Sequence, residues 1–366
     1  MCFPTAERRI ERLGMAILVR ALVCSLAFVV ASTAVVGVIF EIFAGGSFRN
    51  RDITAIISCA TTGEDGEAAI LSRTVFGNGQ PTQYRLWLYE PNRAPLTAFM
   101  PQMQSSPSCL ASIRGSQRIV IGSWDGAIYL ADLKKPDEQP LLLGRHLDGG
   151  MMSLQCSSNG RYLASRTARS LRAWDLISCR LIWEHAAHEI TCHAIDPDSR
   201  CVVSGRYDGR IEEWNLETGA AVRAVAIQRS GGAICDVDFH VDGRLLATVA
   251  KSGGISRGEA HLLHWPPEDG SWTPENTPWR CGWARRSSFS PDCAYLVTTS
   301  EVSESLLDVW DVRSRQRLGT LQGHQQFVLG TAFSSEGRLL SWSADGTVRV
   351  WDVARQRLLD VIKLPI

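Results

Sequence analysis

The thirty residues at positions 323–352, GHQQFVLGTAFSSEGRLLSWSADGTVRVWD, decide how the rest of the chain is read. Three short runs, Phe327 to Phe333, Arg338 to Ser343 and Val348 to Val350, are rich in apolar and β-branched residues. They are separated by Ser335-Glu336-Gly337 and Asp345-Gly346, pairs that suit tight turns because Gly accepts positive φ and Asp caps its own backbone. The unit therefore reads as consecutive antiparallel strands ending in Trp351-Asp352.

Working outward, the same frame recurs. Trp310-Asp311, Trp214-Asn215 and Trp174-Asp175 repeat the closing pair, with looser forms at Trp265-Pro266, Ala131-Asp132 and Tyr89-Glu90. The intervals between positions 89, 131, 174, 214, 265, 310 and 351 are 42, 43, 40, 51, 45 and 41 residues, one supersecondary unit each. Turn signals fall in register: Asn159-Gly160, Asp196-Pro197, Asp242-Gly243 and Pro291-Asp292 precede second strands, and Asp125-Gly126 and Asp208-Gly209 match Asp345-Gly346.

This pattern resembles the WD repeat, over about residues 53–364. The resemblance implies an all-β, seven-bladed propeller of four-stranded antiparallel blades over residues 53–366, in which neighbouring blades bury what one blade cannot. It also implies a structural hydrogen-bonded set of His, Ser or Thr, turn Asp and third-strand Trp, matched here by His324, Ser341, Asp345 and Trp351. Unit four keeps Ser204, Asp208 and Trp214, with His185 one residue out of frame. Residues 357–364 read as a complete fourth strand, whereas many family members close the ring with an N-terminal strand, so two closure modes stand open.

Ahead of the repeats, residues 21–40 are twenty positions without a charge, long enough in a helix to cross a hydrocarbon core of roughly 30 Å. The expected organisation is a cytoplasmic segment 1–20, a transmembrane helix 21–43 contacting the lipid bilayer, a linker 44–52 and the propeller. Arg8, Arg9, Arg12 and Arg20 precede the apolar run and only Arg49 and Arg51 follow closely, which places the N-terminus inside and the propeller extracytoplasmic. A cleaved signal peptide is the rival, since residues 31–34 are small. The apolar run continues through Val35, Val36, Val38, Ile39 and Phe40, which favours an uncleaved anchor.

Formal net charge is zero, without the basic excess that phosphate recognition needs, so a nucleic-acid partner is not expected. The eleven Cys include no Cys-x-x-Cys pair and no Cys/His cluster of zinc spacing, so neither a metal nor a cofactor is expected. Most of these thiols read as small buried hydrophobes, with Cys192 and Cys201 the one candidate disulfide. Asp236, Asp238 and His240 form the one acidic cluster on a first strand, and Asp238 stands where the repeat ordinarily carries Asp. No Gly-x-Ser-x-Gly elbow or phosphate-cradling loop is present.

Two functions follow. The first is a membrane-anchored scaffold binding protein partners through loops on one face; the second is an extracytoplasmic hydrolase or lyase with its site at the channel mouth. For the scaffold, enlarged second-to-third loops at 73–83, 251–258 and 300–305 and the Trp-rich segment 266–283 mark the face of units five and six. Candidate partner-binding residues there are Lys251, Arg257, Trp279, Arg280, Trp283 and Arg285, since Trp and Arg dominate interaction hot spots.

Overall fold

The computed structural model describes residues 53–364 apart from 62–67, 76–81, 91–95, 100–102, 104, 136–137, 187–188, 227–231, 240–243, 251–257, 264–278, 282–286, 301–302 and 335. The expected N-terminal segment, transmembrane helix and linker therefore lie outside the described residues. Among the described residues no helix is long and apolar enough to cross a membrane. The architecture below belongs to the unit Arg49–Ile366.

All described regular elements are strands, gathered in seven four-stranded antiparallel sheets. In chain order the first holds β1 to β4 (Ile53–Thr61, Ala68–Val75, Gln83–Tyr89, Leu96–Phe99) and the second β5 to β8 (Pro107–Ser112, Arg118–Ser123, Ala127–Asp132, Leu141–Arg145). The third holds β9 to β12 (Ser153–Cys156, Tyr162–Arg166, Ser170–Asp175, Arg180–Ala186) and the fourth β13 to β16 (Ile190–Ile195, Cys201–Arg206, Arg210–Asn215, Ala221–Ala226). The fifth holds β17 to β20 (Ala233–Phe239, Leu245–Ala250, Gly258–Leu263, Trp279–Cys281) and the sixth β21 to β24 (Ser287–Phe289, Tyr295–Thr299, Leu307–Asp311, Arg317–Leu321). The last holds β25 to β28 (Val328–Phe333, Arg338–Ser343, Thr347–Asp352, Arg357–Lys363). Five sheets are described along all four strands at side-chain level, the first and fifth only in part.

Each sheet is a meander of sequence-consecutive strands. First strands touch in a circuit, β1 to β5, β5 to β9, and onward through β13, β17, β21 and β25 back to β1. The sheets therefore stand around an axis as propeller blades. Because side chains alternate across a strand, each sheet offers an apolar face to both neighbours. Cys109, Val120, Ile128 and Leu130 of the second sheet thus pack on Leu154, Leu163 and Trp174 of the third.

Tyr89, Ala131, Trp174, Trp214, Trp310 and Trp351 each stand at or next to the end of a third strand. In the fifth sheet β19 ends at Leu263, opposite Leu245, as Trp351 stands opposite Leu339 in the last. The residue equivalent to Trp351 there is thus Leu263; Trp265, two positions on, lies outside the described residues. The candidate disulfide is corrected too. Cys192 and Cys201 are both buried and are not joined by a disulfide. Register sets Cys192 opposite Gly205, at the far end of its hairpin from Cys201.

Candidate interaction face

A four-stranded meander puts its second-to-third turns, and the connections leading to the next sheet, at one end. That end collects the segments a partner can reach, and the described residues show how rigidly they are held. In the last sheet His324 Nε2 lies 2.8 Å from Ser341 Oγ and its Nδ1 3.0 Å from Asp345 Oδ2, while Trp351 Nε1 donates to the same Ser341 oxygen at 2.8 Å. Burial alone would raise the Asp345 carboxyl, but hydrogen bonds from His324, Thr347 and the Gln325 N–H outweigh it and hold the group well below the usual range. The expected four-residue set is present.

The third sheet carries an equivalent set that the sequence did not disclose. His146, 1% exposed, lies 2.9 Å from Ser165 Oγ and 2.7 Å from Ser170 Oγ, and Trp174 Nε1 donates to Ser165 at 2.7 Å. Its turn has no Asp-Gly; Ser170 and Thr167 take that place, and Thr167 donates to Asp148 Oδ2 at 3.1 Å. Burial, helped by the Arg172 charge, brings His146 down to about 4, so it stays neutral at physiological pH and works as one donor and one acceptor. In the first sheet Trp87 Nε1 donates to Ser72 Oγ at 2.8 Å and stands opposite Ile70 as Trp351 stands opposite Leu339, so the residue equivalent to Trp351 there is Trp87, two positions before the expected landmark Tyr89. His185, out of frame in sequence, instead stacks on Trp214 with ring centroids 4.3 Å apart.

Ser, His and Asp in sequence of contact imitate a hydrolytic triad, but function here follows from geometry. Ser165 and Ser341 are fully buried, and each oxygen already accepts from an indole N–H. These sets brace turns.

What they brace is exposed. Leu147 is 88% exposed although His146 beside it is buried, because anchoring the imidazole throws the next side chain outward. Tyr207, 51% exposed, sits in the second-to-third turn of the fourth sheet, its N–H bonded to Glu189 O at 2.9 Å. Arg206 beneath it reaches Glu189 at 3.0 Å and Glu212 at 3.2 Å. Exposed Arg169 lies on the intervening turn, its N–H bonded to Thr167 Oγ1 at 3.1 Å. The result is an apolar and charged surface over neighbouring sheets three and four, on a backbone with little freedom left to lose on binding.

The six residues singled out from sequence fall differently. Trp279 and Arg280 are on β20, opposite Ala260 and Glu259, and so form an outer strand and not a loop. Three residues are too few to give strand periodicity, which is why the sequence did not show it. Lys251, Arg257, Trp283 and Arg285 lie outside the described residues. Gly258 at the start of β19 pairs with Cys281 at the end of β20.

Of the acidic cluster, Asp236 and Asp238 are described, and both are engaged within the sheets. Asp236 Oδ2 accepts from Ser287 N at 3.0 Å and Ser287 Oγ at 2.9 Å, clamping the fifth sheet to the sixth. Asp238 is pushed up to about 7 by burial and then by the Asp236 charge. His240 lies outside the described residues, and among those described no group of three or more His, Cys, Asp and Glu is placed to hold a metal. A carboxyl raised in the folded state favours folding while protonated, and that contribution is lost as pH rises through its folded value. Asp238→Asn is therefore expected to raise the unfolding midpoint by several degrees more at pH 8 than at pH 5, in thermal melts at both pH values. An equal shift at the two would contradict the assignment.

Comparison with known proteins agrees with this architecture. The family model for the WD domain, G-beta repeat, matches residues 178–215 and 315–352, in the third to fourth and sixth to seventh sheets. Transcription initiation factor TFIID subunit 5 of Caenorhabditis elegans is 26% identical over 169 residues, covering 44% of this chain and 23% of that protein. Apoptotic protease-activating factor 1 of Danio rerio is 24% identical over 287 residues, 68% of this chain and 22% of that protein. The guanine nucleotide-binding protein subunit beta of Oryza sativa subsp. indica is 26% identical over 200 residues, 51% of this chain and 50% of that protein. The chain thus spans half or less of each of these relatives.

Proposed function

We propose that this WD40-repeat chain is a seven-bladed scaffold that binds protein partners through the face bearing its second-to-third turns and sheet-to-sheet connections. The observation that carries this reading is the outward placement of Leu147, beside the buried and hydrogen-bonded His146, and of Tyr207, whose N–H is held by Glu189 O. Rigid loops presenting apolar and Arg side chains lose little entropy on association, which favours their use as anchors. Two of the relatives are named as subunits, of a transcription initiation factor and of a guanine nucleotide-binding protein. The buried, already satisfied Ser hydroxyls favour a binding role over a hydrolytic one. The uncharged run 21–40 supports a membrane-anchored scaffold, with the excess of Arg before it supporting an extracytoplasmic propeller.

Proximity labelling and affinity capture from membranes, with the full chain as bait, would test the face. The double variant Leu147→Asp/Tyr207→Ala is expected to weaken recovery of captured partners at least tenfold, the loss typical of a hot spot, with unchanged thermal unfolding. Loss of capture on Trp279→Ala/Arg280→Ala alone would move the docking surface to the fifth sheet. Full capture by both variants would overturn the proposal.

A further inference from the structure

Six of the seven junctions between sheets are bridged by the chain, which passes from the fourth strand of one sheet into the first strand of the next. The seventh is not. It joins β1 to β4 with β25 to β28, and among the described residues neither sheet borrows a strand from the other end of the sequence. This junction is closed by side chains. Ala68, Ile70, Trp87 and Tyr89 pack against Leu340, Val348, Val350, Ile362 and Leu364. Across it Tyr89 Oη donates to Asp360 Oδ2 at 2.8 Å, the Tyr ring being 4% exposed while Asp360 faces solvent.

We propose that this seam is a latch, the place where the ring loosens first, with the Tyr89–Asp360 hydrogen bond as its polar catch and Trp87 as its apolar one. At a bridged junction the linker limits how far two sheets separate and keeps their faces at high local concentration. At the seam the tether is the whole circuit, so a similar apolar area is opposed by more loop entropy. Local opening in folded proteins follows such inequalities. A partner lying across the first and last sheets would hold the latch shut by mass action, whereas one seated on sheets three and four would leave it unchanged.

Hydrogen-exchange mass spectrometry of the full chain tests this directly. Peptides covering β2, β3, β26 and β27 are expected to exchange faster than those covering β10, β11, β14 and β15. Tyr89→Phe and Asp360→Asn should each speed the seam peptides by about tenfold, as loss of a hydrogen bond to a carboxylate predicts, and leave the other set as it was. Seam peptides exchanging no faster than the others in the unaltered chain would overturn the latch. So would variants that accelerate every sheet alike or none.

Discussion

Trp351→Ala is expected to cost about 3–5 kcal/mol of stability, the usual range for removing a buried large aromatic, measured as the loss in urea-unfolding free energy. Trp351 is 3% exposed and fills the space between the last two sheets, among Val297, Val309, Leu321, Val328 and Leu339. Its indole N–H also donates to Ser341, the oxygen on which His324 converges. The substitution therefore opens a cavity and removes one arm of the network that fixes the turn at Asp345. Trp351→Phe separates the two effects: most of the area stays and only the N–H is lost, so about 1 kcal/mol should go. A cost below about 1 kcal/mol for Trp351→Ala would mean that the indole does not wedge the sheets apart as described.

Gly144→Val is the second large effect, by crowding instead of loss. A Cβ built on Gly144 in β8 would stand 2.5 Å from Cη2 and 2.6 Å from Cζ3 of Trp174 in the neighbouring sheet. Real carbon contacts do not close so far, and Trp174 cannot swing aside, because it is buried and its N–H is bound to Ser165 at 2.7 Å. The expected cost is about 1–3 kcal/mol from overpacking, or more if the sheets part. Trp174→Leu in the same chain should absorb much of the clash, giving a double variant less destabilised than the sum of the singles. Strict additivity would show that the two positions do not meet.

How much of this the sequence disclosed depends on how the information is stored. The Trp landmarks were legible because a third-strand Trp must sit opposite one position on the second strand: Trp174, Trp214 and Trp310 donate to Ser165, Ser204 and Thr298 at 2.7, 3.1 and 2.9 Å. That geometry recurs at the repeat period and leaves a mark in one dimension. His146 left none, because its supporting groups come from a turn without Asp-Gly and from Asp148 in the preceding connection. Trp87, which occupies the register position of Trp351, was hidden by its neighbour Tyr89, whose hydroxyl reaches across the seam. The fifth sheet misled because its long unit shifts the Trp two residues beyond the strand. Closure was open in the sequence; among the described residues the last sheet is made of the C-terminal strands β25 to β28, the fourth of them lying in the apolar run at 357–364. The proposed docking surface was the least legible part, since exposure of Leu147 depends on burial of the residue before it and on no motif.

The most direct test of the account is an experimental density map of the full chain, by crystallography or electron microscopy, resolving strands around the axis. The account predicts seven four-stranded sheets, with Tyr89 reaching Asp360 across a junction of unshared strands. A different number of sheets, or a strand from before Ile53 completing the last one, would contradict it.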